Sequence, residues 1–219
     1  MIAPAIELVP VRSAALTRAL KDLASGRFEW ITLTSRATVD MLAARLGSPA
    51  DVRAKVAVIG DGTAAAFKAW AGRTADLQPT AFTTSALARA FPRGRGSVLC
   101  ARADIAPEGL ETALEAKGWS PTRVDAYRTR MPRALPAEAR EVLKSGAVDA
   151  VTFTSASTVR GFVGALGPVG GSPKVICIGP VTAKEARGHG LTVHAVAKPH
   201  TMEGLVSALE RVLAPRRAG

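Results

Sequence analysis

Two short apolar runs in the chain have the same sequel. Ile31-Thr32-Leu33-Thr34-Ser35 is followed by Val39, Leu42, Ala43, Leu46 and Gly47. Val151-Thr152-Phe153-Thr154-Ser155 is followed by Val159, Phe162, Val163, Leu166 and Gly167. The offset is constant, since 154 − 34 = 120 and 167 − 47 = 120. A second pair follows. Lys55-Val56-Ala57-Val58-Ile59-Gly60 with Thr63-Ala64 matches Lys174-Val175-Ile176-Cys177-Ile178-Gly179 with Thr182-Ala183, and 179 − 60 = 119. A weaker third echo sets Thr83 and Leu87 against Thr201 and Leu205, at 201 − 83 = 118. Each block is a continuous, β-branched apolar run, which predicts a strand buried on both faces. A small polar residue and then apolar residues at helical spacing predict a helix, with Gly47 and Gly167 as stops. Strands alternating with helices in this way predict parallel βαβ units, hence an α/β protein.

Further elements complete the pattern. Ser97-Val98-Leu99-Cys100 predicts a strand, followed by a helix from about Pro107 to Lys117 with Gly118 as its stop. Thr122-Arg123-Val124 and Thr192-Val193-His194-Ala195-Val196 are strand-like, and Leu205, Leu209, Val212 and Leu213 mark a C-terminal amphipathic helix. Hydroxyl-bearing and glycine turns recur where strands end: Thr34-Ser35, Gly60 to Thr63, Thr83 to Ser85, Thr154-Ser155, Gly179 to Thr182 and Thr201. That edge is where open α/β sheets bind ligands. The hydroxyls there suit helix N-caps, and the helix N-termini themselves are potential anion sites.

The chain has 219 residues, which predicts one large or two small domains. Lys and Arg number 29 against 18 Asp and Glu, so the net charge is 29 − 18 = +11. Such an excess attracts an anionic partner, although a chain rich in Ala, Arg and Gly also carries Arg by composition alone. Cys100 and Cys177 sit in apolar runs and read as small buried hydrophobes, neither a disulfide nor a metal pair. His189, His194 and His200 lack metal-ligand spacing. No apolar stretch approaches a membrane span and the start lacks a signal-peptide pattern, so a soluble, reduced, cytoplasmic protein is expected. Arg93-Gly94-Arg95-Gly96 precedes a strand, unlike a phosphate-binding glycine loop, and reads as a surface turn. Aromatic residues do not interleave with the basic ones, which weakens a single-stranded nucleic-acid reading.

The doubled strand-Thr-Ser and Ile-Gly-x-x-Thr-Ala blocks flank a segment Val124-Asp125-Ala126-Tyr127-Arg128-Thr129. In this order and spacing the chain resembles the uroporphyrinogen-III synthase family over essentially its whole length. The resemblance implies two flavodoxin-like parallel-sheet domains joined by two extended linkers, with the active site in the cleft between them. The linkers would be residues 5–11 and 125–132, and 127 − 7 = 120 sets Tyr127 at the repeat position of Glu7. Residues 12–124 would form a complete five-stranded domain. Residues 1–11 and 125–219 would form the linkers and a second domain without the family's N-terminal strand-helix-strand, leaving a sheet edge and apolar helix faces exposed.

The same resemblance implies the chemistry. The substrate is hydroxymethylbilane, a linear tetrapyrrole with eight carboxylates, which loses water and closes with inversion of ring D to uroporphyrinogen III. No cofactor or metal is implied. The expected partner is that small molecule alone, with no nucleic acid and no membrane, and a monomer working beside hydroxymethylbilane synthase. By position, Tyr127 is the implied proton donor for the departing hydroxyl. Ser35, Thr63, Arg102, Ser155, Lys174 and Thr182 are the implied substrate-binding residues, although Arg102 could instead pair with Asp104. His194 reads as a core or edge histidine. Two other readings stand beside the enzyme: a two-lobed binding protein for an anionic ligand, and a nucleic-acid-binding protein.

Overall fold

The structure is a computed structural model and describes residues 1–166 and 172–214. Its contacts divide the chain into two units, one of Leu8–Thr129 and one of Met1–Glu7 with Arg130–Gly219. Both divisions fall inside the stretches read as linkers. Both stretches are extended: Glu7 to Pro10 form a short strand, and Asp125 to Arg130 continue a long one.

In the Leu8–Thr129 unit the elements run β1 (Glu7–Pro10), α1 (Ala14–Ala24), β2 (Trp30–Leu33), α2 (Arg36–Arg45), β3 (Lys55–Val58), α3 (Asp61–Ala71), α4 (Thr84–Ala90), β4 (Gly96–Ala103), α5 (Gly109–Glu115) and β5 (Trp119–Arg130). The sheet order is β1-β5-β4-β2-β3. β2 pairs in parallel with both β3 and β4, and β4 with β5. Leu77 forms a further parallel bridge to Ala57 on the outer side of β3. From β2 the chain therefore steps outward to β3 and Leu77, then crosses back to β4. The reversal between β2 and β4 is the switch point of a doubly wound sheet.

Strand alternation explains the two cores. Ile31, Leu33, Val56, Val58, Leu99, Ala101 and Val124 face α1, α2 and α3, where they meet Leu16, Leu20, Leu23, Val39, Leu42 and Phe67. Their sequence neighbours Trp30, Ala57, Val98 and Cys100 face Leu87, Phe91, Leu110 and Leu114. Trp30, Phe91 and Trp119 stack there, with centroids 4.8 and 5.8 Å apart. Burial pushes the Cys100 thiol up to about 12, so it stays a thiol.

The other unit contains α6 (Ala137–Lys144), β6 (Ala150–Phe153), α7 (Ala156–Ala165), β7 (Lys174–Cys177), α8 (Pro180–Gly188), β8 (Val193–Val196) and α9 (Met202–Leu213). Its described strands form a parallel sheet in the order β6-β7-β8. The repeat read from sequence is realised in the element starts: β2 to β6 is 150 − 30 = 120, β3 to β7 is 174 − 55 = 119, and α4 to α9 is 202 − 84 = 118. β2 is buried throughout between two strands, whereas its counterpart β6 is half-exposed, with an exposed Thr152. Val175 and Cys177 face α7 and α8, and Ile176 faces α9. The N-terminal segment crosses α7 at Gly161, where a Cβ would collide with the Ala5 carbonyl.

Two local expectations are corrected. Gly47 does not end α2, because the helix stops at Arg45 and the extended Leu46 caps it. Gly167 lies outside the described residues. The helix expected from Pro107 to Lys117 spans Gly109–Glu115. His194 lies on β8, at the edge of the described sheet as one of its two readings had it; it is exposed, and its Nδ1 accepts the Val175 N–H at 3.1 Å, where the register between β7 and β8 shifts.

Candidate active site

The carboxyl ends of the strands carry two kinds of helix start. Ser35, Thr83, Ser155 and Thr201 each accept a backbone N–H of the following helix. Gly60 and Gly179 stand at the N-caps of α3 and α8 and offer no side chain. The first-turn N–H groups of these two helices are therefore left without a cap, at matched positions of the repeat. Thr63 and Thr182 are not N-caps. Each lies at the third helical position, 6% and 4% exposed respectively, directly behind its glycine turn. The two turns differ in detail. Gly60 has φ +75, a conformation that favours glycine, and the Phe82 ring lies 3.4 Å from where a Cβ would stand. Gly179 is extended, and His200 occupies the place of Phe82, at 200 − 82 = 118. His200 Nδ1 and the Ala197 carbonyl are 2.7 Å apart, so the ring donates there and presents Nε2 outward. Asp61 adds negative charge at the first position of α3, with its Oδ1 accepting from Gln78 Nε2 at 2.7 Å. α8 has uncharged Pro180 in that place.

At the switch point the structure joins two residues that are 92 positions apart. The Tyr127 hydroxyl lies 3.0 Å from Ser35 Oγ. Ser35 Oγ also accepts the Thr38 N–H at 3.3 Å and lies 3.1 Å from Thr38 Oγ1. Tyr127 reaches from β5 towards the end of β2. β4, the strand between, contributes Leu99 and the small Ala101 to the cluster on which Tyr127 packs. A bulge sets its position. Arg102 pairs with Asp125 but Ala103 pairs with Tyr127, so Ala126 is an extra residue in β5. Bulges of this kind re-aim side chains near ligand sites.

Burial raises the Tyr127 pKa above its ordinary value. The Ser35 hydrogen bond lowers it, the Asp104 charge raises it, Arg102 lowers it, and the net direction is upward. The phenol is thus fully protonated at neutral pH. Tyr127 is the one tyrosine of the chain, so tyrosinate absorbance reports on it alone. The native protein is expected to titrate above about 10, and the urea-unfolded chain at about 10. Stability from this shift is complete below about pH 10 and declines as pH rises through that window. A native midpoint at or below the unfolded one would contradict the burial.

The remaining candidates are placed differently. Ser155 sits in a capping box with Thr158, its Oγ 2.9 Å from Ser157 Oγ. Arg102 is turned away from solvent. It is 2% exposed, with Nη1 donating to the Pro107 carbonyl at 2.7 Å and to Glu111 at 3.0 Å. Its partner is Glu111, not Asp104, because residue 102 faces α5. Lys174 is exposed at the first position of β7, the opposite end of that strand from Gly179 and Thr182. It does not join them. Sequence reading missed Arg36, an exposed cation at the start of α2 next to Ser35, with only a long 3.8 Å pairing to Asp40. It also missed Phe82 and His200, each one residue before the Thr83 and Thr201 of the third echo. Among the described residues, no group of three His, Cys, Asp or Glu stands close enough to hold a metal ion, and no helix is long and apolar enough to cross a membrane.

Residues 1–207 match the family model described as uroporphyrinogen-III synthase HemD. The chain belongs to the uroporphyrinogen-III synthase family. A uroporphyrinogen-III synthase from Synechococcus elongatus is 30% identical over 95% of this chain and 84% of its own. Two crystal structures share the fold. A mutant synthase from the extremely thermophilic bacterium Thermus thermophilus superposes with TM-score 0.65 at 22% identity, over 96% of this chain and 87% of the other. The Helicobacter pylori protein superposes with TM-score 0.67 at 18% identity, over 94% and 90%. Family members are cyclising lyases of tetrapyrrole biosynthesis. Membership favours that class over a two-lobed binding protein or a nucleic-acid-binding protein.

Proposed function

We propose that this protein converts hydroxymethylbilane into uroporphyrinogen III, with Tyr127 as the proton donor. The observation that carries the reading is the hydrogen-bonded Tyr127–Ser35 pair at the switch point of a chain of this family. The bond from the substrate's terminal CH₂ carbon to its hydroxyl oxygen breaks, and the oxygen leaves with the electron pair. The Tyr127 proton completes the water molecule, while the adjacent pyrrole nitrogen stabilises the cation left behind. The raised pKa keeps the donor protonated, and the Ser35 hydroxyl stabilises the phenolate that forms. Ring closure then occurs at the substituted carbon of ring D through a spiro intermediate, followed by migration that inverts the ring; the proton released as the free α-carbon of ring D forms its new bond returns to the Tyr127 phenolate, so that one water is lost overall. This is a task of holding two ends in register, and it needs few acid–base groups.

In the unit that carries Tyr127, substrate carboxylates are assigned to Arg36 beside Ser35 and to the uncapped start of α3 with Thr63 behind it; taken by itself, the other unit offers the matching uncapped start of α8 with Thr182 behind it. A helix N-terminus stabilises a nearby anion by about 0.3–1 kcal/mol, in full at α8 and less at α3, where the Asp61 carboxylate already stands at the first position. The net charge of +11 steers an eight-fold anion towards the protein. Arg102 and Lys174 have no substrate role in this reading, and Ser155 shapes the start of α7. A monomer in the cytoplasm, supplied by hydroxymethylbilane synthase, completes the proposal. The test is incubation with fresh hydroxymethylbilane, oxidation and separation of the isomers. Isomer III above the enzyme-free blank supports the reading, and isomer I alone overturns it.

A further inference from the structure

We infer that Asp104 is a positioning residue for Tyr127: it holds the β5 backbone on the far side of the tyrosine, where the chain leaves its unit. The inference rests on the reading of Tyr127 as proton donor. Beyond β4 the chain turns sharply, with the Ala106 N–H donating to the Ala103 carbonyl at 3.0 Å. Asp104, in that turn, reaches back to β5 twice. Its N–H donates to the Tyr127 carbonyl at 3.1 Å. Its Oδ1 accepts the Thr129 N–H at 2.9 Å, and also the Ile105 N–H at 2.9 Å. Arg123 Nη2 donates to the Asp104 carbonyl at 3.3 Å, which ties the turn to β5 from a third point.

The clamp is needed because the ladder is interrupted just before it. The bulge at Ala126 breaks the regular pairing of β4 with β5. β4 ends at Ala103, so on that edge the β4 ladder supports nothing of β5 beyond Tyr127. Thr129 is the last residue of its unit. Without the Asp104 carboxylate, its N–H loses its partner and the Tyr127 backbone is fixed on one side only. A shift of about 1 Å in a proton donor costs up to about 10²-fold in rate. Only one of these bonds belongs to the aspartate side chain and spans to β5, so substitution can isolate it.

The test uses Asp104→Ala and Asp104→Asn, each in the wild-type and Tyr127→Phe backgrounds. Asp104→Ala is expected to lower kcat by about 10- to 100-fold with KM within about twofold. Asp104→Asn keeps an Oδ1 acceptor and is expected to restore most of that loss. In the Tyr127→Phe background, Asp104→Ala is expected to add nothing, because the group it positions is gone. Full activity in Asp104→Ala, no rescue by Asn, or an equal loss in the Tyr127→Phe background would each overturn the inference. If Tyr127→Phe itself keeps full turnover, the proton-donor reading fails and the clamp is read by tyrosinate titration. A midpoint in Asp104→Ala that moves towards the unfolded value, beyond any shift seen in Asp104→Asn, supports the clamp. Identical midpoints in the two variants overturn it.

Discussion

Replacing Tyr127 with Phe is expected to lower kcat by about 10²- to 10⁴-fold and leave KM and the fold nearly unchanged. The change removes one oxygen. The ring, which packs on the core around Ala101, Val124 and Ala126, is retained. What is lost is the proton donor and one partner of Ser35. Ser35 keeps its bond from the Thr38 N–H, so α2 keeps its cap. The loss should therefore fall on the chemical step, as expected for a group that acts mainly in the transition state. Steady-state kinetics with hydroxymethylbilane, beside circular dichroism, measures both halves. A variant that turns over at the wild-type rate would remove Tyr127 from the mechanism. One that has unfolded would show that the hydroxyl is structural.

Replacing Glu111 with Ala should cost about 3–5 kcal/mol of stability, because it strands the buried Arg102 guanidinium. Arg102 Nε already lacks a partner and is screened from water, and without Glu111 the guanidinium would keep the Pro107 carbonyl but no countercharge. Exchanging both partners for apolar residues of similar volume, Arg102→Met with Glu111→Leu, should cost much less. Trp30, Trp70 and Trp119 are the only tryptophans in the chain and all belong to the Leu8–Thr129 unit. Their fluorescence in urea therefore reads the unfolding of that unit. An unchanged midpoint for Glu111→Ala would show that Arg102 does not depend on Glu111, and would reopen Arg102 as a ligand for substrate.

The repeat was legible because buried parallel strands leave continuous apolar runs. Ile31 to Leu33 and Val151 to Phe153 became β2 and β6 at the expected offset. The glycine turns were legible too, because Gly60 and Gly179 follow strands directly. The roles of Arg102 and Lys174 were not. Which face residue 102 presents depends on strand parity, and its acid lies on a helix whose start the sequence placed two residues early. Lys174 was carried over by resemblance, although its place at the start of an apolar run already put it at the amino end of the strand. The Tyr127–Ser35 contact was hidden for another reason. It depends on a bulge at Ala126 that leaves no mark in the Val-Asp-Ala-Tyr pattern, and on a β2–β4–β5 order that local periodicity does not report. The same is true of Asp104, whose partners lie 23 and 25 residues downstream (127 − 104 and 129 − 104).

Directing the closure of hydroxymethylbilane with inversion of ring D leaves its mark in the isomer that forms. The direct measurement is the ratio of uroporphyrin isomers III and I after timed incubation with fresh substrate and oxidation, taken over a series of protein concentrations. Isomer III is expected to rise with protein concentration until it replaces isomer I, and Tyr127→Phe to need far more protein to reach the same ratio. A ratio that stays at the enzyme-free value at every protein concentration would contradict the proposed activity.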